Sequence, residues 1–177
     1  ARPEVRNAFN DQLILDLHDT FEAVGKNPEV RVVLVRGQGP VFCAGGDLKW
    51  MQEAIKLEGR NNLEDTKRLA HMFNLLNECP KPVVGLVHGA VIGGGVGLTS
   101  ICDYVVATKE TVFSLAEVRL GIIPACIGPF VVAKIGETHA RAYFMSAERF
   151  TAERAMQIGL VHEVVDTPEA MAASDER

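Results

Sequence analysis

Apolar and polar residues along the chain alternate between helical and strand-like patterns. Apolar residues recur at helical spacing from Leu13 to Phe21 behind Asn10, a good N-cap residue, and Gly25 ends the segment. The β-branched run at 30–35 is typical of a strand that is largely covered on both faces. The chain therefore opens with a helix followed by a strand.

The same patterns predict further elements as far as the C-terminal region. Predicted strands cover residues 41–43, 83–87, 103–107, 111–114 and 161–165. One predicted helix follows residue 47, and others span residues 69–76, 95–101, 129–135, 138–145 and 152–158. Thr151 is the expected N-cap residue of the helix at 152–158, and a last helix is predicted to begin at Pro168. Strands that alternate with helices in repeated units indicate the α/β class. Because the sequence shows no linker and no internal repeat, residues 1–177 are predicted to form a single domain.

Composition narrows the classes of partner. At 177 residues the chain is long enough to bury a substantial core. Its net charge is −5, and the sequence contains no Lys/Arg-rich segment that would bind nucleic acid. No apolar run approaches the length of a membrane span, so neither nucleic acid nor membrane is an expected partner. Because the chain starts at Ala1 and stops abruptly at Arg177, we expect both ends to be incomplete.

Cysteine and histidine usage argues against a metal site. The four cysteines lie far apart, and the five histidines show no metal-ligand spacing. Scattered free cysteines fit a reducing compartment, so the expected location is the cytoplasm, or the mitochondrial matrix in a eukaryote.

Three consecutive glycines, at 93–95, are the most informative chemical feature. The Gly-x-Gly-x-x-Gly pattern of dinucleotide-binding proteins is absent, because its third glycine is replaced by Leu98 when the pattern is counted from Gly93 and by Ser100 when it is counted from Gly95. A phosphate loop fails because no Gly-Lys-Ser/Thr follows. A hydrolase is also disfavoured, since neither Ser100 nor Ser114 lies in Gly-x-Ser-x-Gly, and Cys102 lies inside an apolar helix.

The remaining interpretation is a pair of oxyanion donors. Glycine turns at 45–46 and 93–95 each precede a predicted helix, so two backbone N–H groups could converge on one carbonyl oxygen. Such chemistry needs an acid or base nearby, and Glu117 lies in a loop otherwise without carboxylates.

Three short motifs occur in order along the chain: residues 42–48 (FCAGGDL), residues 93–98 (GGGVGL) with the Cys-Asp pair at 102–103, and residues 113–124 (FSLAEVRLGIIP). Together they resemble the enoyl-CoA hydratase/isomerase (crotonase) superfamily. The similarity extends from Arg2 to Val161, nearly the whole chain. It implies the ββα spiral fold of that superfamily, with a C-terminal helical region that is largely missing here.

The resemblance also implies roles for individual residues. Gly46 and Gly94 would supply the oxyanion N–H groups, and Glu117 would be the catalytic carboxylate. The implied substrate-binding residues are Ala44, Gly45, Asp47, Leu48, Lys49, Gly97 and Ala125, with the backbone at 44–48 meeting coenzyme A and Lys49 reaching a phosphate. Coenzyme A enters as part of the substrate, no metal or redox cofactor is implied, and a homo-oligomer, either a trimer or a dimer of trimers, is expected.

Gly97 departs from the pattern of the superfamily. Hydratases of the common type carry a second catalytic glutamate there, so the paired-acid scheme is incomplete in this chain. The GGGVGL form with residues 127–132 (IGPFVV) resembles the subgroup of methylglutaconyl-CoA hydratases, and Gly97 could free volume for a branched acyl group. Hydration of an α,β-unsaturated acyl-CoA is the first expectation, a Δ3,Δ2-enoyl-CoA isomerase using one glutamate the second, and an inactive CoA-binding scaffold the third.

Overall fold

The computed structural model describes residues 1–56 and 59–167, without the side chains of 54–62. Within these ranges the α-helices are α1 (Asp11–Lys26), α2 (Leu48–Lys56), α3 (Gly59–Asn77), α4 (Gly94–Ile101), α5 (Gly128–Ser146) and α6 (Ala152–Gln157). The strands are β1 (Val33–Arg36), β2 (Val83–Val87), β3 (Ala90–Ile92), β4 (Tyr104–Thr108), β5 (Val112–Ser114), β6 (Phe150–Thr151) and β7 (Glu163–Val165). Short 3-10 helices cover Pro3–Val5 and Glu117–Leu120.

The strands form two small sheets. One sheet is parallel throughout, in the order β1-β2-β4-β7, and the other has the order β3-β5-β6 with only β6 antiparallel. Helices lie in the connections between the parallel strands, because two parallel neighbours can be joined only by a long crossover segment. The predicted α/β class is confirmed.

Several local signals in the sequence act as predicted. The Asn10 side chain accepts the N–H of Leu13 at 3.0 Å and caps α1, and the Thr151 side chain accepts the N–H of Arg154 at 3.2 Å and caps α6. Gly136, with φ of 75°, interrupts the helical backbone of α5 between the two helices that the sequence predicts there.

Other predicted bounds shift because tertiary pairing decides them. β1 begins at Val33 rather than residue 30, since its strand partner β2 begins at Val83 and the two residues are in register. The sequence predicts no element between residues 87 and 95, but residues 90–92 form β3 by pairing with β5. The helix predicted to begin at Pro168 lies outside the described residues.

The main core lies between the sheets and the helices. It includes Phe73, Met72, Val91, Val96 and Phe113, all fully buried. The elements that carry the glycine turns and Glu117 are therefore anchored in this core.

In the described part of the chain, no helix is both long and apolar enough to cross a membrane.

Candidate active site

Three chain segments bring the candidate residues to one edge of the smaller sheet. β3 runs parallel to β5, with Ile92 beside Ser114, and Cys43 forms a parallel bridge to Val91 on the other side of β3. The turn at 45–46, the glycine triplet and Glu117 each follow one of these three segments. Because the carboxyl ends of parallel segments meet at one edge, the fold places these three features together.

The first glycine turn depends on a backbone conformation that glycine supplies. Gly45 has φ of 91°, and a Cβ on it would lie 3.2 Å from the carbonyl oxygen of Ile92. The Ile92 N–H also donates to the Cys43 carbonyl at 2.9 Å, so β3 is in direct contact with the start of this turn. Gly45 is buried while Gly46 is partly exposed, which leaves the Gly46 main chain open to a ligand.

The second glycine turn presents the N-terminal end of α4. Gly93 is the N-cap residue, with φ of 51° and ψ of −113°, and its carbonyl accepts the N–H groups of Val96 and Gly97. The peptide plane then directs the Gly94 N–H away from the helix, since a trans peptide points its C=O and N–H in opposite directions. Gly94 is partly exposed between buried Gly93 and Gly95.

Both predicted donors are available for a ligand. Among the loop, turn and cap hydrogen bonds of the described residues, neither the Gly46 N–H nor the Gly94 N–H has an acceptor. A backbone N–H without a protein acceptor is uncommon in folded proteins, and here water or a ligand can reach both residues. Both N–H groups are therefore free to donate to a ligand, and their role as oxyanion donors stays a prediction.

Glu117 directs its carboxylate at the second glycine turn. It is the first residue of the 3-10 helix after β5, and a Cβ placed on Gly93 would lie 2.8 Å from its Oε1 atom. Its Oε2 atom is buried and has no hydrogen-bond partner in the described structure. Burial raises the pKa of the Glu117 carboxyl above its ordinary value. A carboxyl group with a raised pKa and a free oxygen is suited to accept and return a proton.

No cation neutralises this carboxylate within the described part of the chain. The nearest candidate by sequence, Arg119, instead donates to the carbonyl of Ala147 at 2.9 Å. An ordinary surface ion pair therefore does not explain the position of Glu117.

The nucleophiles that the sequence disfavours have structural roles. The Ser100 and Ser114 hydroxyls donate to the carbonyls of Val96 and Ala147, and both side chains are buried. Burial raises the pKa of the Cys102 thiol to about 12, so the thiolate form is strongly disfavoured.

The surroundings of Gly97 correct one expectation. A Cβ on Gly97 would lie 2.4 Å from Cγ2 of Ile127 and 3.0 Å from Cε1 of Phe73, and both of these side chains are buried. The space beside Gly97 is therefore filled by apolar packing and is not free volume for a branched acyl group. Because Ile127 is 30 residues away in sequence, local pattern gave no sign of this contact.

The Gly97→Ala variant is expected to be less stable than the wild type by about 1–3 kcal/mol, because the methyl group overlaps Ile127. The sign is informative, since the same change inside an unobstructed helix stabilises by about 1 kcal/mol. Chemical denaturation measures the difference, with Gly128→Ala as the matched control because a Cβ there meets nothing within 4 Å. Equal stability of Gly97→Ala and wild type would show that the Ile127 side chain moves aside at no cost in free energy.

The remaining predicted binding residues lie around the first turn or at the surface. Asp47 directly precedes α2 and its side chain accepts the N–H of Lys49 at 3.0 Å, while the side chains of Leu48, Lys49 and Ala125 are exposed. Ala44 is partly exposed. The assignment of these residues to substrate binding stays a prediction.

Comparison with known proteins identifies the family of this chain. Residues 1–174 match the family model described as enoyl-CoA hydratase/isomerase. The chain is 33% identical to the enoyl-CoA hydratase ACTT6 of Alternaria alternata over 98% of this chain and 56% of that protein. It is 32% identical to a trans-2-decenoyl-[acyl-carrier-protein] isomerase of Streptococcus mutans over 99% of this chain and 67% of that protein.

A solved structure from Legionella pneumophila, described as an enoyl CoA hydratase/isomerase (crotonase), superposes with a TM-score of 0.95 at 37% identity. The match covers 99% of this chain and 67% of that one. The chain thus spans little more than half of the Alternaria protein and about two thirds of the others. The family match over residues 1–174 and the shared fold show that the chain belongs to the enoyl-CoA hydratase/isomerase (crotonase) family.

Proposed function

We propose that this protein is an enoyl-CoA hydratase that adds water to an α,β-unsaturated acyl-CoA. The observation that carries the proposal is the half-buried Glu117 side chain, whose buried Oε2 atom has no hydrogen-bond partner in the described structure, beside a glycine turn whose N–H is available. A carboxylate beside backbone donors is the arrangement that enolate chemistry needs.

In the proposed reaction the thioester oxygen accepts hydrogen bonds from the N–H groups of Gly46 and Gly94. Glu117 takes a proton from water as the water oxygen bonds to Cβ, and the electron pair of the double bond moves to form the enolate. Glu117 then returns the proton to Cα, which restores the thioester. Each oxyanion donor contributes roughly 100-fold to 1,000-fold in rate. The thioester makes the enolate accessible, so the scheme uses no metal or redox cofactor.

The second candidate is a Δ3,Δ2-enoyl-CoA isomerase, which the packing around Gly97 favours. Ile127 and Phe73 occupy the space where a side chain at 97 would extend, so Glu117 is left to act without an acid at this position. One carboxyl group is enough to move a proton from Cα to Cγ of a 3-enoyl thioester. An inactive CoA-binding scaffold is the third and least favoured candidate, because a carboxyl oxygen that is buried without a hydrogen-bond partner is costly to keep without a use.

The finer substrate and assembly assignments are also proposals. A branched, methylglutaconyl-like acyl group rests on the sequence resemblance alone, and the branch needs space other than that beside Gly97. We assign the main chain at 44–48 to coenzyme A and exposed Lys49 to one of its phosphates. Assembly into a trimer or a dimer of trimers stays a prediction.

Loss of enoyl absorbance with crotonyl-CoA and with methylglutaconyl-CoA tests the proposed reaction. Hydration of either thioester is the expected result, and the preferred one identifies the acyl group. Conversion of a 3-enoyl-CoA to the 2-enoyl isomer, with neither thioester hydrated, would reject hydration in favour of isomerisation. Coenzyme A binding with no turnover of any of these thioesters would favour the scaffold.

A further inference from the structure

We propose that residues 2–9 form a clamp that orients the Gly46 N–H, with Arg2 and Asn7 as its positioning residues. The clamp deepens the proposed function, on which its catalytic consequence rests. The residues of the clamp are distant in sequence from the turn that they hold, so the contact is a property of the fold.

Main-chain hydrogen bonds tie this segment to both sides of Gly46. The Phe9 N–H donates to the Gly45 carbonyl at 2.8 Å, and the Asp47 N–H donates to the Phe9 carbonyl at 2.8 Å. A third bond, from the Ala44 N–H to the Arg6 carbonyl at 3.0 Å, holds the start of the turn. Residues 44–47 are therefore paired with the segment like a short parallel strand.

The first of these bonds sets the direction of the catalytic donor. The Gly45 carbonyl and the Gly46 N–H belong to one planar trans peptide, so they point in opposite directions. When Phe9 holds the Gly45 carbonyl on one side, the Gly46 N–H must point to the other side, where no described residue accepts it. Rotation of this peptide would present a carbonyl oxygen to the thioester oxygen, and that contact is repulsive. Two adjacent glycines give such a rotation little steric resistance.

Asn7 anchors the clamp. Its side-chain amide donates to the carbonyls of Gln38 at 2.8 Å and Val41 at 2.9 Å, and its Oδ1 accepts the Arg2 N–H at 2.8 Å. The residue is buried and has φ of 54°, a conformation that asparagine tolerates better than most residues. A fully satisfied buried amide of this kind holds one geometry.

Arg2 joins the anchor to the end of the turn. Its guanidinium donates to the Ala8 carbonyl at 2.8 Å and to Oδ2 of Asp47 at 3.3 Å. The side chains are 25% and 16% exposed, so the pair is screened by water only in part. The ring of Phe9 also lies 2.8 Å from the position of a Cβ on Gly94, so the same segment contacts both donor turns.

The test compares Arg2→Met, Arg2→Lys and Asn7→Gly with Arg31→Met, an exposed arginine outside the clamp. The first readout is amide hydrogen exchange at Phe9 and Asp47, which needs no substrate. The second is the separation of kcat from KM with whichever acyl-CoA the wild type converts. Asn7→Gly keeps the positive φ accessible. If this variant does not fold, the Arg2 variants still test the clamp, because Arg2 is partly exposed and its replacement leaves the core intact.

In Arg2→Met we expect exchange at Phe9 and Asp47 to quicken by about tenfold or more, and kcat to fall by a similar factor with KM nearly unchanged. Arg2→Lys should recover part of both, and Arg31→Met should match the wild type. Wild-type exchange and kcat in Arg2→Met would overturn the clamp, as would a lower Tm with unchanged kcat. If the wild type converts no acyl-CoA, the proposed function fails, and exchange alone then supports or overturns the clamp.

Discussion

The Glu117→Gln variant is expected to lose roughly 100-fold to 10,000-fold in kcat/KM, with KM changed little. Glutamine keeps the shape of the side chain but cannot take a proton from water or from Cα. The raised pKa of Glu117 shows that burial disfavours its charged form. The neutral amide should therefore cost no stability, and Tm should stay level or rise. Steady-state kinetics together with thermal unfolding separates the loss of the proton carrier from loss of the fold.

Glu110→Gln is the matched control, because Glu110 is exposed and lies outside the site. It should keep wild-type kcat/KM in the same assays. If Glu117→Gln retained wild-type turnover, the proton carrier would have to be another residue.

The second large effect is expected from Gly93→Ala. Its φ of 51° with ψ of −113° is a conformation that L side chains rarely adopt, and the added Cβ would lie 2.8 Å from Oε1 of Glu117. The carboxylate must move, and a displacement near 1 Å costs about 100-fold in rate. Backbone strain adds a loss of about 1–3 kcal/mol in stability.

Kinetics and denaturation of Gly93→Ala should be read beside those of Gly128→Ala. The control adds the same methyl group where nothing lies within 4 Å, so its turnover should be unchanged. Wild-type turnover by Gly93→Ala would mean that the position of Glu117 beside this turn has no catalytic importance.

Local chemistry made much of the fold predictable. Asn10 and Thr151 cap helices because a side-chain oxygen satisfies a nearby N–H, and neither needs tertiary information. Gly136 breaks α5 where the sequence separates two helices. β3 could not be found in the same way, because three residues form a strand only when β5 lies beside them.

The candidate site likewise has features that the sequence predicts and contacts that only the fold determines. Two glycine turns and one isolated carboxylate are visible in the sequence, and the structure brings Glu117 to Gly93 because β3 and β5 are parallel neighbours. What fills the space beside Gly97 depends on Ile127, and what holds Gly45 depends on Phe9. Both contacts join residues about 30 or more positions apart, which periodicity and spacing do not report.

Exchange of the Cα proton of an acyl-CoA in D2O tests the role of Glu117 without assuming hydration or isomerisation. Wild-type protein is incubated with a 3-hydroxyacyl-CoA and with a 3-enoyl-CoA, and mass spectrometry follows deuterium at Cα. We expect deuterium to enter with the wild type and Glu110→Gln, and none above the uncatalysed background with Glu117→Gln. Incorporation by Glu117→Gln at the wild-type rate would contradict the assignment of Glu117 as the group that moves this proton.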